Sequence, residues 1–284
     1  MGFAELEDAR LYYRKRGRGA PLILVSGLGA SLGVWDSVVP ALSEVFSVIR
    51  LDNRGIGRSV AKRKPRTLRD YACDIRGLLD HLGYERAHII GSSLGGMIAQ
   101  QFAMDFPDRT DRLVLLATCH RFSPYLRQIM TTLTVLLRRG KGNEYRDALT
   151  TLGFSPAFID ANPDVHDQVR EAMQAPVSRL AVATQFRALV ASEFEEDRYV
   201  IPAETLVVGG SLDVLIPFRY VEQLAAAIER SELIHIEGVG HALLEEAPEI
   251  VIPAIVSFLR DGPGGPKNNG MGKKERRKLG VTHR

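Results

Sequence analysis

The sequence has few cysteines and no apolar run of membrane-spanning length. Cys73 and Cys119 are the only cysteines among the 284 residues, too few for a disulfide framework or a cysteine-ligated zinc cluster. The first ten residues, MGFAELEDAR, place acidic side chains where a secretory signal needs an apolar stretch. No segment provides the roughly 20 consecutive apolar residues of a transmembrane helix. We therefore expect a cytoplasmic protein whose two cysteines remain thiols.

Outside its C-terminal end, the chain also lacks an excess of charge of one sign. The formal net charge is +3, but residues 261–284 contain seven Lys or Arg against Asp261 and Glu275, a local excess of +5. The remaining residues therefore total −2. A nearly neutral body gives no electrostatic basis for nucleic acid as the main partner.

Short apolar runs alternate with segments of helical periodicity. The runs are apolar on both faces, which is typical of strands buried in a parallel sheet. The intervening segments, among them WDSVVPALSEV (35–45), space their apolar residues by three and four, as amphipathic helices do. This alternation predicts an α/β fold with a mostly parallel sheet, and residues 4–17 predict an antiparallel hairpin at its N-terminal edge. The predicted strands are PLILVSG (21–27), FSVIRLD (46–52), RAHIIGS (86–92), DRLVLLAT (111–118), ETLVVGG (204–210) and ELIHIEG (232–238).

The alternation stops between residues 121 and 197, where four consecutive segments have helical periodicity. We interpret residues 121–197 as a helical lid inserted into a core formed by residues 1–120 and 198–260. Residues 261–284 are rich in Gly and charge without periodicity, which predicts a disordered basic tail. Such a tail aids solubility or contacts acidic surfaces. The apolar residues expected to line or pack the lid are Tyr125, Ile129, Met130, Leu133, Leu136, Leu137, Phe154, Phe158 and Phe186.

The segment IIGSSLGG contains the pattern G-x-S-x-G at Gly91, Ser93 and Gly95, after a predicted strand and before a predicted helix. This context is that of a nucleophile elbow, in which a sharp turn exposes the central serine at a helix N-terminus. Ser93 is therefore the candidate nucleophile. A glycine-rich turn with an incidental serine would have the same five-residue pattern, so further partners are needed.

A serine hydroxyl requires a base, and the base requires a third group that orients it. His241 lies in the loop after the last predicted strand, and Asp213 follows the strand before it, so both lie at the sheet edge where α/β proteins bind ligands. A solvated loop histidine and a turn-forming aspartate are the simpler interpretations of each residue alone. The chain order Ser93, Asp213, His241 is that of the α/β-hydrolase triad. The three residues together predict a catalytic triad.

An acyl-transfer reaction also needs donors for the oxyanion. One donor is expected from the backbone N–H of Leu94, the residue after the nucleophile. The second is expected from the loop after the first parallel strand, in SGLGAS, where it is the N–H of Leu28.

These motifs resemble the α/β-hydrolase superfamily over residues 1–260, and in particular its branch of 3-oxoadipate enol-lactonases, cofactor-free haloperoxidases and methylesterase-like enzymes. One departure is Ser26 before Gly27, where the family usually has histidine; the donor in this loop is backbone, so we expect changed packing rather than loss of the site. The resemblance is based on SGLGAS before Trp35, LDNRGIGRS (51–59), GSSLGGMIAQ, GGSLDVLIP and GVGHALLEEAPE.

The segment LDNRGIGRS spaces Gly55 and Gly57 like part of a dinucleotide loop, but it lacks the third glycine and an immediately following helix. The resemblance implies a structural turn near the floor of the active site, and we assign no cofactor and no metal.

The resemblance implies a serine hydrolase that cleaves a carboxylic ester or lactone of a small, largely apolar molecule. Three alternatives stay open: carbon–carbon bond hydrolysis of ring-fission products, a ligand receptor with the hydrolase fold, and recognition of a substrate carboxylate by Arg121 or Arg187. A serine at the elbow disfavours the dehalogenases and epoxide hydrolases that use an aspartate nucleophile.

Overall fold

The strands form one mixed sheet in the computed structural model, which describes residues 1–139, 143–172, 178–191, 199–261 and 282–283. The sheet order is β1-β2-β4-β3-β6-β7-β8-β9-β10, and β5 pairs with β2. The strands are β1 (Gly2–Glu5), β2 (Ala9–Arg16), β3 (Pro21–Val25), β4 (Ser47–Leu51), β5 (Val60–Ala61), β6 (Ala87–Ser92), β7 (Thr110–Leu116), β8 (Glu204–Gly210), β9 (Ser231–Ile236) and β10 (Thr282–His283).

Helices connect the strands and cover the sheet. They are α1 (Val39–Leu42), α2 (Leu68–Leu82), α3 (Leu94–Asp105), α4 (Pro124–Arg139), α5 (Asn143–Gly153), α6 (Pro156–Ala161), α7 (Val165–Ala172), α8 (Arg179–Ala191), α9 (Phe218–Ala227), α10 (Leu243–Glu246) and α11 (Pro248–Asp261). None of the described helices is both long enough and apolar enough to cross a lipid bilayer.

The central strands β4, β3, β6, β7, β8 and β9 are parallel, and β1 and β2 form an antiparallel hairpin at one edge. Alternate side chains of β3 enter different apolar layers: Leu22 and Leu24 pack with α1 and α11, whereas Ile23 and Val25 pack with α2, α3 and α9. Burial on both faces explains why the parallel strands are apolar throughout. The predicted α/β fold with its N-terminal hairpin is confirmed.

Helices α4 to α8 lie between β7 and β8, where a single crossover helix would be sufficient. They form an apolar cluster of their own, in which Leu133, Leu137, Tyr145 and Val182 pack with Leu215 of the core. The predicted helical insertion is therefore confirmed, while its division from the core at residues 121 and 197 stays a prediction.

Two segments differ from expectation or extend it. Residues 35–45 were expected to form an amphipathic helix, but only Val39–Leu42 are α-helical, and Trp35 ends a preceding 3-10 helix, Leu32–Trp35. Pro40 has no N–H to donate and therefore suits the first turn of a helix rather than its interior. Most of the predicted disordered tail, 261–284, lies outside the described residues, and within it Thr282–His283 pairs antiparallel with β9.

The turn from β6 into α3 depends on two glycines that allow backbones to approach closely. A Cβ on Gly95 would lie 2.0 Å from the carbonyl oxygen of Val25, and a Cβ on Gly91 would lie 2.3 Å from the carbonyl oxygen of Gly95. Both neighbours are backbone atoms of the central sheet and its helix, so neither can move away as a flexible side chain does. This packing fixes the position of Ser93 between them.

We predict that Gly95→Ala lowers the free energy of unfolding by about 2 kcal/mol or more, because the added methyl group overlaps backbone atoms in a fully packed core. The matched control is Gly153→Ala, where an added Cβ meets nothing within 4 Å. Urea denaturation of both variants measures the difference. A Gly95→Ala variant as stable as Gly153→Ala would contradict the predicted overlap.

Candidate active site

Ser93 occupies the sharp turn between β6 and α3. Its backbone has φ 55° and ψ −120°, and only one other described non-glycine residue, Ala117, has positive φ. The Ser93 N–H donates to the carbonyl oxygen of Leu116 at 2.9 Å, and the Ser93 carbonyl accepts from the hydroxyl of Thr118 at 2.7 Å. Neighbouring strand ends therefore hold the strained conformation that the sequence pattern predicted.

Asp213 and His241 come together at the carboxyl ends of β8 and β9. The His241 Nδ1–H donates to Asp213 Oδ2 at 2.7 Å. Asp213 Oδ1 accepts from the Ile216 N–H at 2.8 Å, so both carboxylate oxygens have partners and the side chain is fully buried. This arrangement fixes the histidine ring and leaves its Nε2 as the proton acceptor.

The charge environment of His241 favours its protonated form. Burial by itself lowers the pKa of the imidazole, but the carboxylate of Asp213, with smaller contributions from Glu245 and Glu246, outweighs this effect and raises the pKa above its usual 6.5. A base with a raised pKa accepts a proton readily and returns it when a leaving group departs.

The loop after β3 packs directly against Ser93. A Cβ on Gly27 would lie 3.3 Å from the Ser93 Cβ, so a side chain at that position would require Ser93 or the loop to shift. Leu28 follows at the cavity wall, and Leu94 is the first residue of α3, where backbone N–H groups have no partner within the helix. Ser93 thus lies between the two segments predicted to supply the oxyanion donors.

Ser26, which stands where the resembled family has histidine, is part of the loop's internal bonding. The Trp35 indole N–H donates to its hydroxyl at 2.9 Å, and the hydroxyl donates to the Ser31 carbonyl at 3.3 Å. The Asn53 amide donates to the Ser26 carbonyl at 3.0 Å. The buried Ser26 hydroxyl therefore joins the Trp35 side chain to the backbone of the loop.

A lid residue that the sequence analysis missed also holds this loop. Gln185 of α8 accepts a hydrogen bond from the Gly29 N–H at 2.8 Å, and its side chain is completely buried. The contact joins residues 156 positions apart, so no local sequence pattern indicates it. The loop next to Ser93 is therefore positioned partly by the lid.

A cavity of about 250 Å³ lies between the core and the lid, and Ser93, His241 and Leu28 all line it. Of the predicted lid residues, Met130 and Phe154 line the cavity. The others have different places: Leu133 and Leu137 are in the lid's own cluster with Ile129, Phe158 stacks on Phe154, Phe186 packs against Phe122, Tyr125 stacks on Tyr220, and Leu136 is half-buried.

The turn after α5 is hydrogen-bonded directly to residues 237–242, the loop between β9 and α10 that carries His241 and that we call the histidine loop. The Gly153 carbonyl accepts hydrogen bonds from the N–H groups of His241, at 2.8 Å, and Ala242, at 2.9 Å. The Glu246 carboxylate accepts from Gly240 N–H and Ser155 N–H, both at 3.1 Å. We call these four bonds the lid clamp. They connect the lid to the loop that carries His241.

The segment LDNRGIGRS forms a bonded turn next to the oxyanion loop. Asp52 accepts hydrogen bonds from the N–H groups of Leu32 and Arg58, both at 2.8 Å, and Gly55 and Gly57 have positive φ. These bonds give the segment a structural role. Among the described residues, no group of three His, Cys, Asp or Glu side chains could hold a metal ion.

A larger groove, of about 700 Å³, lies across the opposite edge of the sheet. Arg112 and Arg230 line it and both pair with Glu204. None of the predicted site residues lies there, so its size does not make it the candidate active site.

Comparison with known proteins agrees with the fold. A profile for the alpha/beta hydrolase fold matches residues 20–248. A relative from Azorhizobium caulinodans, named as a carbamate hydrolase, RutD, is 27% identical over 259 residues, which cover 91% of this chain and 98% of the relative. A hydrolase from Pseudomonas aeruginosa PA01 is 30% identical, with a TM-score of 0.81 over 91% of this chain and 98% of its own. An enol-lactonase from Burkholderia xenovorans LB400 is 26% identical, with a TM-score of 0.82 over 91% and 99%.

We predict that Asp213→Asn lowers kcat by a factor on the order of 10⁴, the loss typical of a triad whose histidine has the wrong tautomer. The acid limb of the pH profile of kcat/KM should also move to lower pH, because the carboxylate that raises the pKa of His241 is removed. The matched control, Asp108→Asn, changes an exposed aspartate that does not line the cavity. If Asp213→Asn retains activity within about tenfold, another group orients His241.

Proposed function

The chain belongs to the alpha/beta hydrolase fold family, and from this we propose that it is a serine hydrolase that cleaves a carboxylic ester or lactone through an acyl-enzyme. The observation that supports this most is that Ser93 and His241 line one cavity while Asp213 is hydrogen-bonded to His241. The largely apolar walls of the cavity favour a small, largely apolar substrate.

In this proposal, Ser93 is the nucleophile. Its Oγ attacks the carbonyl carbon as His241 Nε2 removes the hydroxyl proton, and Asp213 stabilises the resulting imidazolium. The backbone N–H groups of Leu28 and Leu94 donate to the oxyanion. Collapse of the tetrahedral intermediate breaks the bond to the leaving alcohol, which takes the proton from His241.

The second half of the reaction repeats these steps with water. His241 removes a proton from water, the hydroxide attacks the acyl carbon, and the acid leaves as Ser93 regains its proton. For a lactone, the alcohol and the acid belong to one molecule, so ring opening gives a single hydroxy acid.

Substrate bond type is the second element of the proposal. An ester or lactone fits the similarity to an enol-lactonase, and the carbamate hydrolase named among the relatives makes a carbamate carbonyl the alternative target of the same nucleophile. A panel of esters, lactones, carbamates and ring-fission diketones of similar size separates these cases. Among these substrates, the esters or the lactones are expected to have the highest kcat/KM.

We predict that a fluorophosphonate probe labels the protein at Ser93, because the probe requires a serine activated by a base. Ser93→Ala and His241→Ala should both abolish labelling, whereas Ser43→Ala, which changes a serine outside the cavity, should not. Peptide mass spectrometry identifies the labelled residue. Labelling at Ser92, or labelling that persists in His241→Ala, would contradict the proposed mechanism.

A further inference from the structure

The walls of the cavity contain few ionisable side chains, and Glu245 is the one acidic side chain among the described lining residues. Among the described residues that line it, only Glu245 and His241 have ionisable side chains. No lysine or arginine of the described chain lines the cavity. Arg121 and Arg187, the residues considered for binding a carboxylate, are not among the lining residues, and the Arg187 guanidinium donates to the Thr184 hydroxyl at 3.2 Å.

Glu245 reaches the cavity because α10 begins directly after the histidine loop. Its N–H donates to the carbonyl of Ala242 at 3.1 Å, which orients this short turn so that Leu243 and Leu244 are buried and Glu245 is exposed. Glu245 therefore lies at the rim, in contact with both the cavity and solvent.

The two consecutive glutamates of α10 have different surroundings. Glu246 accepts the N–H groups of Gly240 and Ser155 in the lid clamp. No described side chain forms an ion pair or hydrogen bond with the Glu245 carboxylate. The structure therefore gives Glu246 a bonding role in the fold, whereas Glu245 contributes a negative charge that is close to His241 and has no hydrogen-bonding side chain among the described residues.

We propose that Glu245 determines the charge class of the substrate, so that the site takes neutral or cationic esters and rejects those that carry a carboxylate near the reacting carbonyl. This inference rests on the proposed function of the site. A substrate carboxylate would lose water on entering an apolar cavity, would meet no lysine or arginine among the described lining residues, and would be repelled by Glu245. The site would thus discriminate against anionic substrates through an unfavourable contact with Glu245.

The expected discrimination follows from the strength of a like-charge contact in a partly buried site. At the effective dielectric constant typical of such sites, repulsion across several ångströms lowers kcat/KM by on the order of tenfold or more. A cationic group gains a partner from the same geometry, whereas a neutral ester leaves Glu245 in contact with water. The expected order of kcat/KM is therefore cationic or neutral above anionic.

The test uses three p-nitrophenyl esters of similar acyl length: the neutral pentanoate, the glutarate half-ester and the 4-(trimethylammonio)butyrate. Assays are run at about pH 8, since partial loss of water contact at the apolar rim raises the pKa of the Glu245 carboxyl to about 7 and the group is then mainly ionised. The wild-type protein should hydrolyse the half-ester at least about tenfold less efficiently than the neutral ester.

Three variants measure the contribution of Glu245. Glu245→Gln should bring the neutral and anionic esters within about threefold of each other, and Glu245→Lys should make the anionic ester the better substrate. Glu249→Gln, which removes an exposed carboxylate outside the cavity, should retain the wild-type ratio. Equal efficiency for the three esters in the wild-type protein, or an unchanged ratio in Glu245→Gln, would overturn the proposal.

A binding measurement separates this proposal from the proposed function. Calorimetric titration of the three esters into Ser93→Ala protein gives dissociation constants that do not depend on turnover. Weaker binding of the half-ester, lost in the Ser93→Ala and Glu245→Gln double variant, supports charge selection even if the wild-type protein hydrolyses no ester. Equal binding of all three esters overturns charge selection even if Ser93 is confirmed as the nucleophile.

Discussion

The close approach of backbones at the turn between β6 and α3 is the constraint on which the rest of the site depends. Gly95 lies so near the Val25 carbonyl that only a residue without a side chain fits there. This contact joins α3 to the strand that precedes the oxyanion loop, and it holds Ser93 in a conformation with positive φ. The strain at one serine is maintained by the whole central sheet, because the sheet is too tightly packed to relax around it.

The remaining components reach Ser93 from separate strands of the same parallel sheet. Parallel strands place all their carboxyl ends at one edge, so loops that are distant in sequence become neighbours there. Asp213 follows β8, His241 follows β9, and Leu28 follows β3. The lid closes over this edge and contributes structural bonds as well as apolar walls, since Gln185 holds Gly29 and the Gly153 carbonyl holds the histidine loop.

The fold could be predicted from sequence, and the candidate site residues could be proposed from it, because their signals are local. Apolar runs bounded by glycines mark the strands, and Ser93, Asp213 and His241 each follow such a run in a characteristic order. The bonds of Gln185 and Glu246, and the position of Glu245 at the rim, could not be predicted in this way. They depend on how the lid packs against the core, and a single glutamine within an amphipathic helix resembles any other polar residue of that helix. Residues 35–45 also show the limit of periodicity, because apolar spacing predicted a helix longer than α1.

The lid clamp has a consequence for the modularity of this architecture. If an insertion is attached to its core only through its two chain ends, it can be replaced by another insertion without breaking bonds within the core. Here the Gly153 carbonyl and the Glu246 carboxylate bond the insertion to the loop that carries His241. The bonded unit is therefore discontinuous in sequence: it comprises the insertion together with residues 240–246. Replacement of the lid alone keeps these bonds only if the incoming sequence preserves the backbone turn at residues 153–155.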